Sequence, residues 1–209
     1  QEDVFYYITL MNENYSHPGI KEGQEAGILK GLYLLQEGKA DTKLRVQLMG
    51  SGTILREVIA AVDLLQDDWS IGADVWSAPS FTLLARDGQD VERWNMLHPT
   101  EPARAAHITQ CLQDTNGPVV VATDYMRTFA EQVRAFVPKG RSYKVLGTDG
   151  FGRSDSRAKL REFFEVNRYY VTVAALKSLA DEGAIEAAIV EQAIVKYGID
   201  PEKPNPVTQ

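Results

Sequence analysis

The sequence predicts an open α/β fold, a mostly parallel sheet with helices on both faces, and three observations carry that expectation. Short apolar runs at residues 44–49, 74–78, 118–122 and 143–146 alternate with segments of helix length. A connection that long does not close a tight hairpin, so the strands pair in parallel across crossovers. One of these runs, PVVVA at 118–122, is apolar throughout, as a short buried strand is. A chain of 209 residues with 44% hydrophobic content is also large enough to bury a real core.

The elements follow in order. Residues 4–10 (VFYYITL) are aromatic and β-branched and read as a strand, buried on both sides if it has neighbours. Residues 12–19 are a polar loop, 22–31 are interrupted by glycine, and 32–36 (LYLLQ) form a short strand or finish a turn. Residues 38–42 are hairpin-like or a linker, and a regular series begins at Lys43. Residues 44–49 then read as a strand, Gly50-Ser51-Gly52 as a tight turn, and 53–66 as a helix with Ile54, Val58, Ala61, Val62 and Leu65 on one face. A strand at 74–78 is broken by Pro79-Ser80, and 81–95 is helical apart from Asp87-Gly88. Helices at 103–113 and 127–137 flank a short buried strand at 118–122, and Tyr143–Leu146 is the next strand. Helices at 154–164, Arg168–Asp181 and 186–197 lead to a Pro-rich tail. In such a sheet the turns at Gly50, Pro79, Thr123 and Thr148 gather on one edge, where ligands and partners are usually met.

Composition removes several classes of function. A net charge of −7 with no basic run argues against nucleic acid, whose phosphates require clustered Lys and Arg. One cysteine, Cys111, excludes an internal disulfide and any multi-cysteine metal site, which fits a reducing cytoplasm. No apolar run is long enough to span a membrane, no secretory pattern follows Gln1, and the opening residues QEDVFYY read as the interior of a longer protein.

Each candidate site has two readings. Gly50-Ser51-Gly52, between strand and helix, could cradle a phosphate, yet it lacks a P-loop lysine and a third glycine; the alternative is a plain turn capped by Ser51 or Thr53. Asp87, Asp90 and Glu92 beside Arg86 and Arg93 suit acid–base chemistry or a solvated, ion-paired helix face. His17, His98 and His107 stand apart without a second ligand at zinc spacing, and Cys111 sits on an apolar helix face as a buried thiol would. No serine has the nucleophile-elbow pattern.

The densest motif is the loop Thr148-Asp149-Gly150-Phe151-Gly152-Arg153-Ser154-Asp155. Its glycines allow backbone angles that other residues avoid, and Ser154 or Asp155 is placed to cap a helix with Leu160, Phe163, Phe164 and Val166 on its apolar side. One reading is packing, with Phe151 buried and Arg153 paired to Asp149 or Asp155. The others are an inter-subunit or inter-domain contact, or direct catalysis.

By its wording this loop resembles the C-terminal domain of thiamine-diphosphate enzymes of the transketolase class, where a strand enters a Phe-Gly-x-Ser loop before a helix. Further stretches, EDVFYYIT with Asn12-Glu13-Asn14-Tyr15, QLMGSGTIL, ARDGQDVERWNMLH and DYMRTFAEQV, are similar to the homodimeric bacterial first components of pyruvate dehydrogenase complexes, and together they cover essentially the whole chain. The resemblance implies a transketolase C-terminal-domain fold for residues 43–209, with 1–42 as the end of a preceding pyrimidine-binding domain and its linker. It implies that the longer parent is a cytoplasmic pyruvate dehydrogenase that passes a two-carbon unit to lipoyl groups, a homodimer whose other partner is the dihydrolipoyl acetyltransferase, with neither nucleic acid nor membrane involved. Such enzymes hold thiamine diphosphate and Mg²⁺ through a Gly-Asp-Gly segment followed by Asn, and this chain contains no Gly-Asp-Gly. The expectation is therefore an architectural piece, inactive alone and without its own cofactor. Its candidate cleft and interface residues are Asn12, Asn14, Tyr15, His17, Asp149, Phe151, Arg153 and Asp155; the resemblance assigns none of them a catalytic role. The alternatives are a stand-alone module for small anions, or the tail of another transketolase-class enzyme.

Overall fold

The computed structural model describes residues 3–8, 14–39 and 41–209. Five strands form one sheet: β1 (Tyr33–Gln36), β2 (Arg45–Gly50), β3 (Gly72–Ser77), β4 (Val119–Ala122) and β5 (Tyr143–Leu146), in the order β1-β3-β2-β4-β5. The last four are mutually parallel, with Gly50 level with Ser77 on one side and Ala122 on the other, and Ala122 level with Leu146. β1 is an antiparallel edge strand whose register slips between Leu34 and Gln36. The expected open, mostly parallel sheet is thus the observed one, and the ambiguous run at 32–36 resolves into a strand.

Helices cover both faces: α1 (Glu25–Lys30), α2 (Leu55–Trp69), α3 (Phe81–Leu97), α4 (His107–Leu112), α5 (Arg127–Glu131), α6 (Arg157–Phe163), α7 (Arg168–Asp181) and α8 (Ala187–Lys196). The strand side chains alternate between two cores. Val46, Leu48, Ala73, Val75, Val120 and Ala122 face α2, α7 and α8, meeting Val58, Ala61, Leu65, Val171, Ala175 and Leu176. Met49, Trp76, Val119, Val121, Tyr143 and Val145 face the opposite way, toward Leu84, Ile108, Leu112, Ala130 and Val133. Each buried Leu, Val or Ile contributes about 1.5–3 kcal/mol by leaving water, so the two layers hold the sheet from both sides. The five apolar positions predicted for α2 are all buried.

Polar groups inside the second core are satisfied. Gln47 Nε2 donates to Asp74 Oδ2 at 2.7 Å, and Trp76 Nε1 donates to Gln47 Oε1 at 2.7 Å. Arg45 and the Gly38 amide complete Asp74, at 2.5 and 2.8 Å, and so tie the linker to the sheet.

Several sequence expectations are corrected. Residues 4–8 form no strand and are 60–95% exposed, because no strand among the described residues lies beside them to complete a ladder; Thr9 and Leu10 fall outside the described residues. α4 begins at His107 rather than at 103, since Asn95 grips the Arg104 backbone from both sides, accepting from its N–H at 2.8 Å and donating to its C=O at 3.0 Å. α5 is only Arg127–Glu131, followed by a 3₁₀ turn at Arg134–Phe136 that stops before Pro138. Asp87-Gly88 does not break α3, where Gly88 is buried beneath the Phe136 ring. The cap of α6 is neither Ser154 nor Asp155 but Ser156, whose Oγ accepts from Lys159 N, while Asp155 Oδ1 accepts from Ser156 N at 2.6 Å.

Candidate functional site

The chain reverses direction at β2. It leaves that strand through α2 to reach β3 on one side, then returns through α3 and α4 to β4 on the other. The helices after β2 and β4 lie on opposite faces of the sheet, so the carboxyl ends of these two strands form the switch point where open sheets bind ligands. The four turns expected on this edge do come together there. Ala78 N donates to Gly50 O, Ser51 N to Ala122 O, Thr123 N to Leu146 O and Thr148 N to Tyr125 O.

This crevice is closed by the protein's own groups. The hydroxyls of Ser51 and Thr123 share a hydrogen bond at 2.8 Å, and Thr123 Oγ1 also accepts from Tyr125 N. The Asp124 carboxylate sits over the turn that starts α2. Thr53 Oγ1 donates to its Oδ2 at 3.3 Å, and a Cβ built on Gly52 (φ +54°) would lie 3.3 Å from its Oδ1. The place a phosphate would occupy is held by an internal carboxylate, and the Ser51 amide is already committed. Neither Ser51 nor Thr53 caps the helix as expected. A diphosphate would meet Asp124 by like-charge repulsion, and among the described residues no three His, Cys, Asp or Glu side chains come together as a metal cluster. These residues do not fit thiamine diphosphate with Mg²⁺.

Beside the crevice lies a cleft of about 340 Å³ lined by Thr53, Asp124, Thr148, Arg153, Arg157 and Arg161 on its polar side and by Ile54, Leu160, Phe164 and Val166 on its apolar side. Its donors are engaged. Thr148 Oγ1 donates to Asp124 O at 2.5 Å, Arg161 Nη1 to Glu57 Oε1 at 3.1 Å, and the Arg153 guanidinium lies 4.5 Å from the centre of the Phe163 ring.

The predicted site residues divide accordingly. Asp149 pairs with Arg127, accepting from Nε at 2.5 Å and from the backbone N at 3.3 Å, so its partner is not Arg153. Phe151 is 95% exposed at the loop tip, which excludes the reading in which it packs inside. Arg153 lies over an aromatic ring, and Asp155 turns inward to its own backbone. Tyr15 reaches the same edge, where the Arg56 guanidinium sits 4.2 Å from its ring centre, whereas Asn14 and His17 are exposed. Asn12 lies outside the described residues.

The remaining candidates are structural in their surroundings. Asp87 Oδ2 accepts from His107 N at 2.6 Å, and Arg86, Asp90, Glu92 and Arg93 are exposed along α3. His98 stacks on Trp94 at 4.5 Å, and His107 Nε2 lies 2.9 Å from Leu32 O. Cys111, half-buried near His107, has its thiol pushed up to about 11 by burial, with the Lys30 charge opposing. Sequence reasoning missed Asp124 and Glu57. Both act on residues far away in the chain, and no local pattern marks either.

No helix among the described residues is long and apolar enough to cross a membrane. The chain is 60% identical over 209 residues to the pyruvate dehydrogenase E1 component of Cupriavidus necator, 59% over 207 residues to that of Pseudomonas aeruginosa and 55% over 206 residues to that of Escherichia coli K12. The matches cover 99–100% of this chain but 23% of each relative, in its C-terminal part. Transketolase from Pichia stipitis shares the fold, with a TM-score of 0.50 and 20% identity over 76% of this chain and 19% of that one. Residues 31–167 match the transketolase-like TK C-terminal domain, and the chain belongs to that family.

Proposed function

We propose that this chain is the C-terminal domain of the pyruvate dehydrogenase complex component that decarboxylates pyruvate and reductively acetylates lipoyl groups, and that its part is architectural. The observation that carries this reading is the 60% identity to a pyruvate dehydrogenase E1 component along all 209 residues. The closed switch point supports the architectural half, because Ser51 pairs with Thr123 and Thr53 with Asp124 where a ligand would otherwise bind. In such an enzyme thiamine diphosphate supplies the electron sink, held with Mg²⁺ upstream of this chain.

Two surfaces serve contacts in this account. Residues 4–8 carry strand-forming side chains that are exposed here, and in this account they belong to the last strand of a preceding pyrimidine-binding domain whose end, with a linker, is residues 1–42. The 149–155 loop, with Phe151 projecting from it, meets the second subunit of a homodimer or a neighbouring domain. The dihydrolipoyl acetyltransferase is the other partner, and the setting is the cytoplasm.

The test is reductive acetylation of a lipoyl domain from pyruvate, measured with the longer protein, with the longer protein lacking these residues, and with this chain alone. Activity only in the first is expected. Turnover by the chain alone, or undiminished turnover without it, contradicts the proposal.

A further inference from the structure

Residues 200–208 meet one loop-and-helix unit at two points, beside a contact of Lys203 with the Tyr170 ring of α7. Lys203 Nζ donates to the carbonyl oxygens of Glu162 at 3.1 Å and Phe163 at 2.7 Å, and to Glu165 Oε1 at 3.3 Å. One ammonium thus meets two carbonyls at the end of α6, of which that of Glu162 also accepts from Glu165 N at 3.3 Å. The same ammonium lies 5.5 Å from the centre of the Phe163 ring, which also carries Arg153 of the loop at 4.5 Å.

The second fastening meets the loop itself. Pro206 is buried at the start of a 3₁₀ turn, Pro206–Thr208, that Asn205 caps by accepting from Val207 N at 3.0 Å. That turn lies directly on Gly150, where a Cβ would come within 3.1 Å of Pro206 O and 3.5 Å of Val207 Cα. Gly150 has φ +110°, a conformation that a side chain would strain, so the loop passes under the tail only because this residue is glycine. The loop is also held by Asp149 on Arg127, by the two Thr148 hydrogen bonds and by Arg153 on the Phe163 ring.

We infer that residues 200–208 form a strap that holds the 147–155 loop and the end of α6 in one arrangement, so that release of the strap releases the loop. The two elements exchange hydrogen bonds, ring contacts and backbone packing, and an energetic coupling of this kind acts in both directions. Whatever the loop docks against therefore also senses the tail, and a partner or modification that captures the Lys203 ammonium changes the loop at a distance. The inference concerns this chain alone and does not depend on the proposed function.

Trypsin cleavage after Arg153 reads the loop, and relaxation of the Val207 and Thr208 amides reads the tail. In Lys203→Met, which keeps the aliphatic stem and removes the ammonium, cleavage after Arg153 should rise about tenfold, following the larger open population. A chain ending at Lys203 keeps the ammonium, loses the Pro206 turn, and should move the same way. In Gly150→Val the steady-state ¹⁵N NOE of Val207 and Thr208 should fall. Unchanged hydrogen exchange at Val120 and Val121 shows in each case that the sheet persists. Cleavage no faster than in the parent in either tail variant, or a loop substitution that leaves the tail amides rigid, overturns the inference.

Discussion

Arg168 at the start of α7 grips Glu57 of α2 through three nitrogens, its backbone N and Nε at 3.0 Å and Nη2 at 3.3 Å, while Arg161 of α6 adds a fourth hydrogen bond at 3.1 Å. Glu57 is 5% exposed, in the first turn of a helix whose other buried residues are apolar. One carboxylate therefore joins three helices on the same side of the sheet.

Burial alone would raise the Glu57 carboxyl, but the Arg168 hydrogen bonds and the two guanidinium charges outweigh it and hold the group below its usual 4.5. A carboxyl depressed in the folded state adds stability that is present above pH 4.5 and is lost as pH falls below that value through the folded one. Glu57→Gln should cost about 2 kcal/mol near neutral pH, since Arg168 keeps water on one side. Thermal unfolding followed below pH 4.5 should show the gap between parent and variant narrowing; a gap constant with pH contradicts the assignment.

Gly88 tests packing against propensity. In a helix interior Gly→Ala usually gains up to about 1 kcal/mol. Here a Cβ would fall 2.3 Å from the Phe136 ring, which is itself buried, so the ring must move. Gly88→Ala should destabilise the chain by roughly 1–3 kcal/mol in urea unfolding. A stabilised variant would show that the ring relaxes freely.

The Cys111 thiol, pushed up to about 11 from an ordinary 9.0, should resist alkylation. At pH 8 a rise of that size leaves about a hundredfold less thiolate than in an unperturbed thiol. Iodoacetamide labelling of the folded chain, followed by mass spectrometry, should be slow in that proportion and become fast in denaturant.

The parts of the fold that were legible in the sequence are those written locally. β5 was read at its observed bounds, and the apolar positions of the α2 face were found, because alternation and helical periodicity lie within a few residues of one another. Residues 4–8 misled, since β-branched and aromatic composition reports a preference for a sheet and not the presence of one. The start of α4 was obscured by Asn95, and the state of the strand-end crevice by Asp124, each acting from elsewhere in the chain. Of the readings open for the 149–155 loop, the one with Phe151 packed fails, since the ring is 95% exposed and no local pattern distinguishes a buried from a projecting aromatic in a glycine-rich loop.

That exposure makes Phe151 a clean probe of contact. Phe151→Ser should leave the stability of this chain within about 0.5 kcal/mol of the parent, because the ring touches little here. In the longer protein the same change should weaken self-association, measured by analytical ultracentrifugation. Unaltered association would remove the loop from the interface.

The central claim is that this domain contributes architecture while the cofactor chemistry lies elsewhere. Calorimetric titration of thiamine diphosphate with Mg²⁺ into the purified 209-residue chain tests it most directly. The account predicts no heat of binding, because Asp124 and the committed Ser51 amide leave no place for a diphosphate at the switch point. Metal-dependent binding at micromolar concentration would contradict it and would place a cofactor site on this chain.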